Sequence, residues 1–402
     1  MVAARFSWDG ICRQYREIFL RCMQRSLSIV IATPLMPPDL GGVGQYALNL
    51  AQEFSRRGHA VSVVSYARDP ARMPKIRHTS ARYVSLRYPT GLRHVMFFLT
   101  LLRSMRRADA ALVLDQFSAG LPAALACAIA RIPYVTRMEG DFLWESYVER
   151  TRRDVTLADF WRAAPNLTVK ERLIRRVVRW VLWRASRIAF SSRWRKEMVE
   201  SSIPVIAKKS LIIGNAWPSL ENQAAHAGDR KKIILWAGRM LYVKNLHRLM
   251  RVFAGLGKTG YELHLVGEGP EEARLKKTAQ SLDGVAIRFF PPMAHGDLLT
   301  KMASSAFVVL PSLSDVGPNI IADAIATRTP FLLTQESGYA EIFSQSGLLV
   351  HPLDERDIAE KLRILMDEKK QHEYRARLNA RHEVRGWTSV ADEWLRVLSD
   401  MV

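Results

Sequence analysis

A chain of 402 residues is longer than the usual domain of about 100 to 200 residues, so its length predicts two domains. Its 59 lysines and arginines against 39 aspartates and glutamates give a formal net charge of +20, and 48% of its residues are hydrophobic. Each half can therefore bury a sheet. The charge favours anionic partners: nucleic acid, nucleotide phosphates or an acidic lipid leaflet.

The cysteines and the apolar segments exclude several classes of protein. Cys12, Cys22 and Cys127 have no metal-ligand spacing, and a sparse odd set is not a disulfide framework, so we expect a reducing compartment and no metal site. Arg5 and Asp9 interrupt the N-terminus before the apolar core of a signal peptide can form. No uninterrupted apolar stretch reaches the roughly 18 to 20 residues that span a bilayer.

The elements predicted in chain order alternate between strand and helix. Buried strands are predicted at 26–33, 59–65, 110–114, 133–137, 232–237, 262–266, 285–290, 306–310 and 331–334. Helices are predicted at 46–57, 122–130, 246–256 and 271–282. This alternation predicts an α/β fold with two similar, doubly wound parallel-sheet domains.

The same order predicts the domain boundaries. A basic amphipathic extension precedes the first α/β domain, a polar linker separates it from the second, and a C-terminal helix could pack back on the first. The predicted boundaries are 1–25, 26–218, 219–230, 231–385 and 386–402.

Two predicted helices, at 8–22 and 170–188, combine an apolar stripe with many arginines. In one interpretation the stripe packs on a sheet and the charges are solvated. In the other, the helices lie on an anionic lipid surface. For 170–188 both can hold, because the stripe can face the core while the arginines face headgroups.

The first glycine-rich segment follows the first strand. Gly42 and Gly44 precede the predicted helix at 46–57, where bare backbone amides suit a phosphate. Residues 42–47 also fit the dinucleotide pattern G-x-G-x-x-A, but that pattern has its glycines at the end of the strand, and here residues 34–40 intervene. A plain loop fits this segment equally well.

Two cations follow the first strand of the second half. Gly238 and Arg239 end that strand and Lys244 comes just before the next helix, a crossover where Arg and Lys can clamp adjacent phosphates. The alternative is a pair of surface cations. At the next strand end, Gly267 and Gly269 either allow close approach of a ligand or of another backbone segment, or form a simple tight turn.

Two carboxylates, Asp315 and Asp323, flank a strand-to-helix crossover. The helix is predicted to start in the segment Gly317, Pro318, Asn319 and Ile320. Pro318 suits its first turn, and the backbone amides around this proline can meet a phosphate. Asp315 and Asp323 can accept hydrogen bonds from the hydroxyls of a sugar and a ribose. The alternative is an N-terminal cap and one exposed acid.

In this order the motifs resemble those of the retaining family 4 glycosyltransferases (group 1), whose second domain carries G-R-x4-K, G-x-G-P and E-x7-E. The resemblance covers roughly 26–385. It implies the GT-B fold, two Rossmann-like domains facing across a cleft, with the donor mainly on the second and the acceptor mainly on the first. The resemblance implies neither a metal nor a cofactor. The nucleotide-diphosphate sugar is the donor substrate.

The resemblance also implies roles for individual residues. Arg239 and Lys244 would hold the diphosphate and stabilise the departing nucleotide. Asp315 would bind the transferred sugar, and Asp323 the ribose. The glycines at 42 and 44 would let the N-terminal loop close on the phosphates.

This chain departs from the family pattern at three places. Both signature glutamates are aspartates here, Arg328 stands where glycine is common, and Glu139 takes the position of a frequent histidine. Glu139 or Asp141 could act on the acceptor, or both could form salt bridges to nearby arginines. Retaining front-face transfer needs no enzyme nucleophile, because the leaving phosphate can accept the acceptor's proton.

The partners expected from the resemblance are a nucleotide-diphosphate sugar and a glycan or lipid-linked acceptor. The basic helices at 8–22 and 170–188 add the anionic inner face of the cell membrane, where the protein would be cytoplasmic and peripheral. Nucleic acid is not expected, since no zinc pattern, aromatic RNP-like strand or basic tail is present. The alternatives are a dinucleotide-dependent oxidoreductase and a degenerate homologue that only binds. The sequence leaves the base, sugar, acceptor and oligomeric state open.

Overall fold

A computed structural model of the chain describes residues 25–38, 42–163, 166–217, 230–380 and 385–402. The helix predicted at 8–22 and nearly all of the linker predicted at 219–230 lie outside these residues. In the described residues the strands are β1 (Ser28–Thr33), β2 (Ala60–Ala67), β3 (Thr79–Ser85), β4 (Ala110–Val113), β5 (Tyr134–Met138), β6 (Arg187–Phe190), β7 (Ser210–Ile212), β8 (Lys231–Ala237), β9 (Glu262–Val266), β10 (Ala286–Phe290), β11 (Ser305–Leu310), β12 (Phe331–Thr334) and β13 (Leu348–Val350).

The helices alternate with these strands. The described ones are α1 (Gly42–Arg56), α2 (Thr90–Ser104), α3 (Gly120–Ala130), α4 (Phe142–Thr151), α5 (Leu157–Ala163), α6 (Val169–Arg184), α7 (Arg193–Ser202), α8 (Leu246–Gly255), α9 (Glu272–Gln280), α10 (His295–Ala303), α11 (Asn319–Ala326), α12 (Ala340–Phe343), α13 (Glu355–Met366), α14 (Glu368–Asn379) and α15 (Trp387–Ser399). None of the helices in the described ranges is both long and apolar enough to cross a membrane.

The strands form two parallel sheets. The first has the order β3-β2-β1-β4-β5-β6-β7, and the second has the order β10-β9-β8-β11-β12-β13. In each sheet the order reverses once, between β1 and β4 in the first and between β8 and β11 in the second. In α/β sheets, ligands bind outside the carboxyl ends of the strands at such a reversal. The predicted α/β class with two doubly wound parallel sheets is confirmed.

The chain divides into two compact units. The first comprises 1–114, 122–134 and 395–402, and the second comprises 115–121 and 135–394. The first unit has its core where β1 and β2 meet α1, around the fully buried Ile31, Val63 and Phe54. The second unit contains the whole second sheet, whose core is built around Trp236, Phe307 and Phe331.

Most predicted elements are confirmed, and several boundaries are corrected. The strands predicted at 262–266 and 331–334 agree residue for residue with β9 and β12. The helix predicted at 170–188 is wrong at its end, because α6 stops at Arg184 and β6 begins at Arg187. Lys209 Nζ donates to the carbonyl oxygen of Trp183 at 2.5 Å and to that of Ala185 at 3.0 Å, so the last carbonyls of α6 are satisfied without another helical turn.

The predicted start of the first helix also needs correction. Helix α1 begins at Gly42, four residues before the predicted start, so Gly42 and Gly44 lie in its first turn and not in a preceding loop. A Cβ on Gly44 would lie 2.6 Å from the Leu35 side chain and 3.1 Å from Met36 Cα. The absence of a side chain at 44 therefore lets the segment after β1 pack against this turn.

Candidate functional site

The loop after β8 carries the two cations that the sequence singles out. Gly238 and Arg239 are exposed directly after the strand, and the chain then forms a short 3-10 turn, Tyr242–Lys244. Asn245 ends this turn in the left-handed conformation (φ 59°) and is fully buried. Its Nδ2 donates to the carbonyl oxygens of Pro311 at 3.0 Å and Pro352 at 2.7 Å. The turn that carries Lys244 is thereby tied to the two segments that contain Pro311 and Pro352.

Lys244 and Asp315 form an ion pair at the reversal point of the second sheet. Lys244 Nζ lies 2.6 Å from Asp315 Oδ2, and the loops that carry them are joined by a hydrogen bond of 2.8 Å from Leu313 N to Val243 O. Burial lowers the pKa of the Lys244 ammonium, but the charge of Asp315 and its hydrogen bond more than offset this, so the pKa is raised. Lys244 is therefore a permanent cation.

The two glycines after β9 allow two backbones to meet. Gly267 has φ 134°, and a Cβ there would collide with the carbonyl oxygen of Gly238. Met240 N donates to Glu268 O at 2.8 Å, and Gly238 N donates to Val266 O at 3.0 Å. Of the two interpretations that the sequence allows for this segment, close approach of backbone explains the geometry at Gly267.

The loop before α11 lies against Glu139. A Cβ on Gly317 would collide with Glu139 Oε1 and would lie 2.9 Å from Asn215 Nδ2. Arg137 forms an ion pair of 2.7 Å with Glu139 and also donates to the Asn215 side chain. Asn215 Nδ2 in turn donates to the Tyr339 hydroxyl at 2.8 Å. The Glu139 carboxylate is thus near the Asp315 loop and is held by an arginine.

Asp141 is fully engaged by structural contacts. Its Oδ1 accepts from Trp144 N at 3.0 Å, which caps α4, and its Oδ2 accepts from Trp161 Nε1 at 2.7 Å. Arg195, which is fully buried, pairs with Oδ2 at 2.8 Å. Asp141 itself is 7% exposed. The salt-bridge interpretation left open by the sequence fits Asp141 better than contact with an acceptor.

Helix α11 carries the second carboxylate of the signature. Pro318 immediately precedes the helix, and Asn319 and Ile320 lie in its first turn. Asp323 is one turn further on, where its Oδ1 lies 3.0 Å from His295 Nε2. Burial raises the pKa of the Asp323 carboxyl, although His295 opposes this. The contact with His295 could not be predicted from the sequence, because His295 and Asp323 come from different helices.

Glu145 is a site residue that sequence reasoning missed. It lies on α4, one turn before Glu149, whose Oε1 accepts from Tyr242 N at 2.6 Å. Burial raises the pKa of the Glu145 carboxyl to about 7; Lys244 opposes this shift, whereas Asp141 and Asp315 add to it. The one sequence signal is its spacing of four residues from Asp141, which places both carboxyls on one face of a helix.

The turn after α11 contains Arg328, one of the departures from the family pattern. Arg328 has φ 51°, in the left-handed region that glycine adopts without steric cost. Arg230 NH2 donates to the carbonyl oxygens of Thr327 and Arg328, both at 3.1 Å. The turn therefore keeps the conformation that favours glycine although an arginine occupies it.

These features define an α/β protein with two parallel sheets of the GT-B type and a cation–carboxylate site at the reversal point of the second. Residues 40–216 match the family model "Glycosyltransferase Family 4", and residues 220–383 match "Glycosyl transferases group 1". The two matches together cover most of the chain, which belongs to the family 4 (group 1) glycosyltransferases.

Individual relatives match over shorter segments. A D-inositol 3-phosphate glycosyltransferase of Nocardioides sp. is 30% identical over 155 residues, which are 34% of this chain and 34% of the relative. A glycogen synthase of Mycobacterium tuberculosis is 28% identical over 149 residues, 36% of each chain. The matched part of this chain thus spans only about a third of the length of these curated relatives.

Solved structures match nearly the whole chain. Anabaena HepE, solved in complex with UDP and glucose, has a TM-score of 0.68 and 16% identity, covering 93% of this chain and 100% of that one. Sucrose-phosphate synthase from Thermosynechococcus elongatus has a TM-score of 0.70 and 16% identity, covering 94% and 99%. At this identity the similarity establishes the GT-B fold.

Proposed function

We propose that this chain transfers a sugar from a nucleotide-diphosphate donor, with retention of configuration, to a glycan or lipid-linked saccharide at a membrane surface. The observation that carries the proposal is the Lys244–Asp315 ion pair, which lies with Arg239 at the carboxyl ends of β8 and β11. In a family of glycosyltransferases, this is where a sugar diphosphate is expected.

The charges suit the departure of a nucleoside diphosphate. As the bond between the sugar and the phosphate breaks, negative charge grows on the leaving phosphate oxygen. Cations already fixed at that place lower the barrier because they need no reorganisation. Lys244 is fixed by its turn, and Arg239 can offer a forked donor to a second phosphate. HepE, solved with UDP and glucose, supports this class of donor.

The sugar hydroxyls have a candidate acceptor in Asp315, whose carboxylate is held by Lys244. In the proposed front-face reaction, the acceptor oxygen bonds to the anomeric carbon on the face that the phosphate leaves, and its proton passes to the leaving phosphate oxygen. Neither a cofactor nor an enzyme nucleophile is needed. The full engagement of Asp141 supports a scheme without a nucleophile there.

The ribose has a candidate acceptor in Asp323. Its side chain is 17% exposed and is hydrogen-bonded to His295, which is 67% exposed. A ribose hydroxyl would compete with this histidine or add to the same carboxylate. A dinucleotide oxidoreductase would make no use of this set, so the family and the site favour a transferase.

The test is a hydrolysis and transfer screen of UDP-, GDP- and ADP-sugars with the purified protein. Arg239→Ala and Lys244→Ala are each expected to lower turnover at least about tenfold, since each removes charge stabilisation of the transition state. Lys277→Ala, on exposed α9, is the matched control and is expected to keep full activity. Unchanged turnover in both site variants contradicts the assignment, and nucleotide binding without any turnover identifies a binding-only homologue.

Action at a membrane is supported by the mixed surface of α6. This helix exposes Val169, Leu173 and Trp183, which are 75%, 59% and 56% accessible. Exposed arginines lie among them, at Arg172, Arg176 and Arg179. Apolar and basic side chains side by side are typical of helices that lie on anionic lipid.

A second mixed surface lies on α2, in the first unit. It exposes Leu92, Val95 and Leu99, and exposed arginines follow near its end. The first unit thus has an apolar, basic face of its own, which also supports an anionic membrane as the partner.

Flotation with liposomes tests the membrane proposal. Binding to vesicles that contain anionic phosphatidylserine is expected to fall steeply with salt, because the attraction is screened. Reversing the charges of Arg172, Arg176 and Arg179 should release the protein, whereas reversing three exposed cations of α9 (Arg274, Lys276 and Lys277) should not. Equal flotation of both triple variants, or binding to neutral vesicles alone, contradicts the role of α6.

A further inference from the structure

Three carboxyls lie on one face of α4 and at its start, at intervals of one helical turn. The first, Asp141, caps the helix and pairs with Arg195. The last, Glu149, accepts from the backbone amides of Tyr242 and Val243, at 2.6 Å and 3.4 Å. Both of these have a structural task. Glu145 lies between them.

The position of Glu149 defines where Glu145 points. Because Glu149 reaches the beginning of the Tyr242–Lys244 turn, Glu145, one helical turn earlier, lies on the side of α4 that meets this turn. The charges that act on the Glu145 carboxyl are Lys244, Asp141, Asp315 and Arg239. Within the ranges that the structure describes, no hydrogen bond or ion pair holds this carboxyl, in contrast to its two neighbours on the helix.

We propose that Glu145 is a proton-binding group of the donor site, which takes up a proton from solvent when a diphosphate binds to Arg239 and Lys244 and releases it when the diphosphate leaves. This inference rests on the proposed function. In the free protein, the ionised Glu145 and Asp315 both interact with the positive charge of Lys244. An incoming diphosphate brings further negative charge to the same cations, and the repulsion is removed when Glu145 becomes neutral. Glu145 is thus a positioning residue, which affects the bound diphosphate through the charge of Lys244.

The burial of Glu145 places this exchange in the neutral range. Since its pKa is already raised to about 7, a nearby anion moves it further upward through neutral pH. At pH 6 the group is mostly protonated before binding, so little is taken up. At pH 8 it is mostly ionised in the free protein, and binding then requires either proton uptake or repulsion. Affinity for the diphosphate is therefore expected to fall as pH rises.

Calorimetric titration tests this proton exchange. UDP, GDP and ADP are each titrated into the full chain at pH 6, 7 and 8, in two buffers of different ionisation enthalpy, which reports the protons taken up. The wild type should take up more protons than Glu145→Gln at pH 7 and 8. The variant should bind up to about tenfold more tightly than the wild type at pH 8 and equally at pH 6. A residue with only a structural role would weaken binding instead.

The phosphate of the nucleotide itself titrates near pH 6, but it does so equally for the wild type and the variant, so the difference in proton uptake between them isolates Glu145.

Three further variants make the result specific. Glu360→Gln removes the same charge from an exposed position on α13 and should behave as the wild type. Glu145→Asp keeps a titrating group and should keep the uptake. Glu145→Met, which also lacks charge, replaces the Gln variant should the latter not fold.

The outcomes separate this inference from the proposed function. Binding with equal proton uptake in the wild type and Glu145→Gln overturns the role of Glu145 and leaves the donor site standing. Weaker binding of the variant at every pH does the same. If none of the three nucleotides binds the wild type, the donor site is refuted, and the role of Glu145 with it.

Discussion

The burial of Glu145 also has a consequence for stability that needs no ligand. Its carboxyl has a pKa of about 7 in place of 4.5, so its ionised form is disfavoured in the folded protein. Above pH 7 the folded protein carries this cost in full. Near pH 4 the group is protonated in the folded and unfolded states, and the cost vanishes. Glu145→Gln, which stays neutral, is therefore expected to be more stable than the wild type at high pH alone.

The size of the effect follows from the pKa shift. One pKa unit corresponds to about 1.4 kcal/mol, so the shift at Glu145 gives an upper value of about 3 kcal/mol in the free energy of unfolding. The residue is partly exposed, and solvent screening reduces this to about 1.5 kcal/mol. For a unit of this size, the melting temperature should rise by about 3 to 6 °C.

Thermal unfolding of the wild type and Glu145→Gln at pH 4, 6 and 8 measures this directly. The difference in melting temperature should be near zero at pH 4 and largest at pH 8. Glu360→Gln, on an exposed helix, should show no such trend. A Gln variant that melts lower than the wild type at pH 8, or by the same difference at every pH, would refute the buried-carboxyl argument.

Two other substitutions test the Asp315 contact with Lys244 and the left-handed turn at Arg328. Asp315→Asn removes the charge 2.6 Å from Lys244 and should abolish sugar transfer while nucleoside diphosphate binding, measured by calorimetry, is retained; loss of nucleotide binding alone would contradict the sugar role. Arg328→Gly relieves a left-handed residue at φ 51° and should raise the free energy of unfolding in urea by about 1 kcal/mol. A lower value would show that Arg328 is held by its side chain.

The sheets were predictable because their strands are short, continuous apolar runs separated by turn residues. This pattern holds for β9 and β12, which are buried on both faces. It fails for β6, because Ala185 and Ile188 continue the apolar spacing of α6 and so extend the helical pattern into a strand. Local spacing alone does not show where a helix stops when Lys209, from a distant turn, satisfies its last carbonyls.

The candidate site was predictable as far as it lies in contiguous motifs. Arg239, Lys244 and Asp315 each lie in a loop that follows a predicted strand, and the structure brings the last two together. Glu145 has no such context, because its surroundings are set by Lys244, far along the chain. The contact between Glu139 and the Gly317 loop is hidden from the sequence for the same reason.

The buried amide of Asn245 ties the turn that carries Lys244 to the loop that carries Asp315. It holds the loop after β11 through Pro311 and the segment after β13 through Pro352, while its own backbone ends the Lys244 turn. A change that moves Lys244 must therefore move Asp315 as well. A laboratory selection for a new donor sugar would accordingly gain little from varying this turn. Diversity is better introduced at exposed His295, whose helix is not tied to that amide.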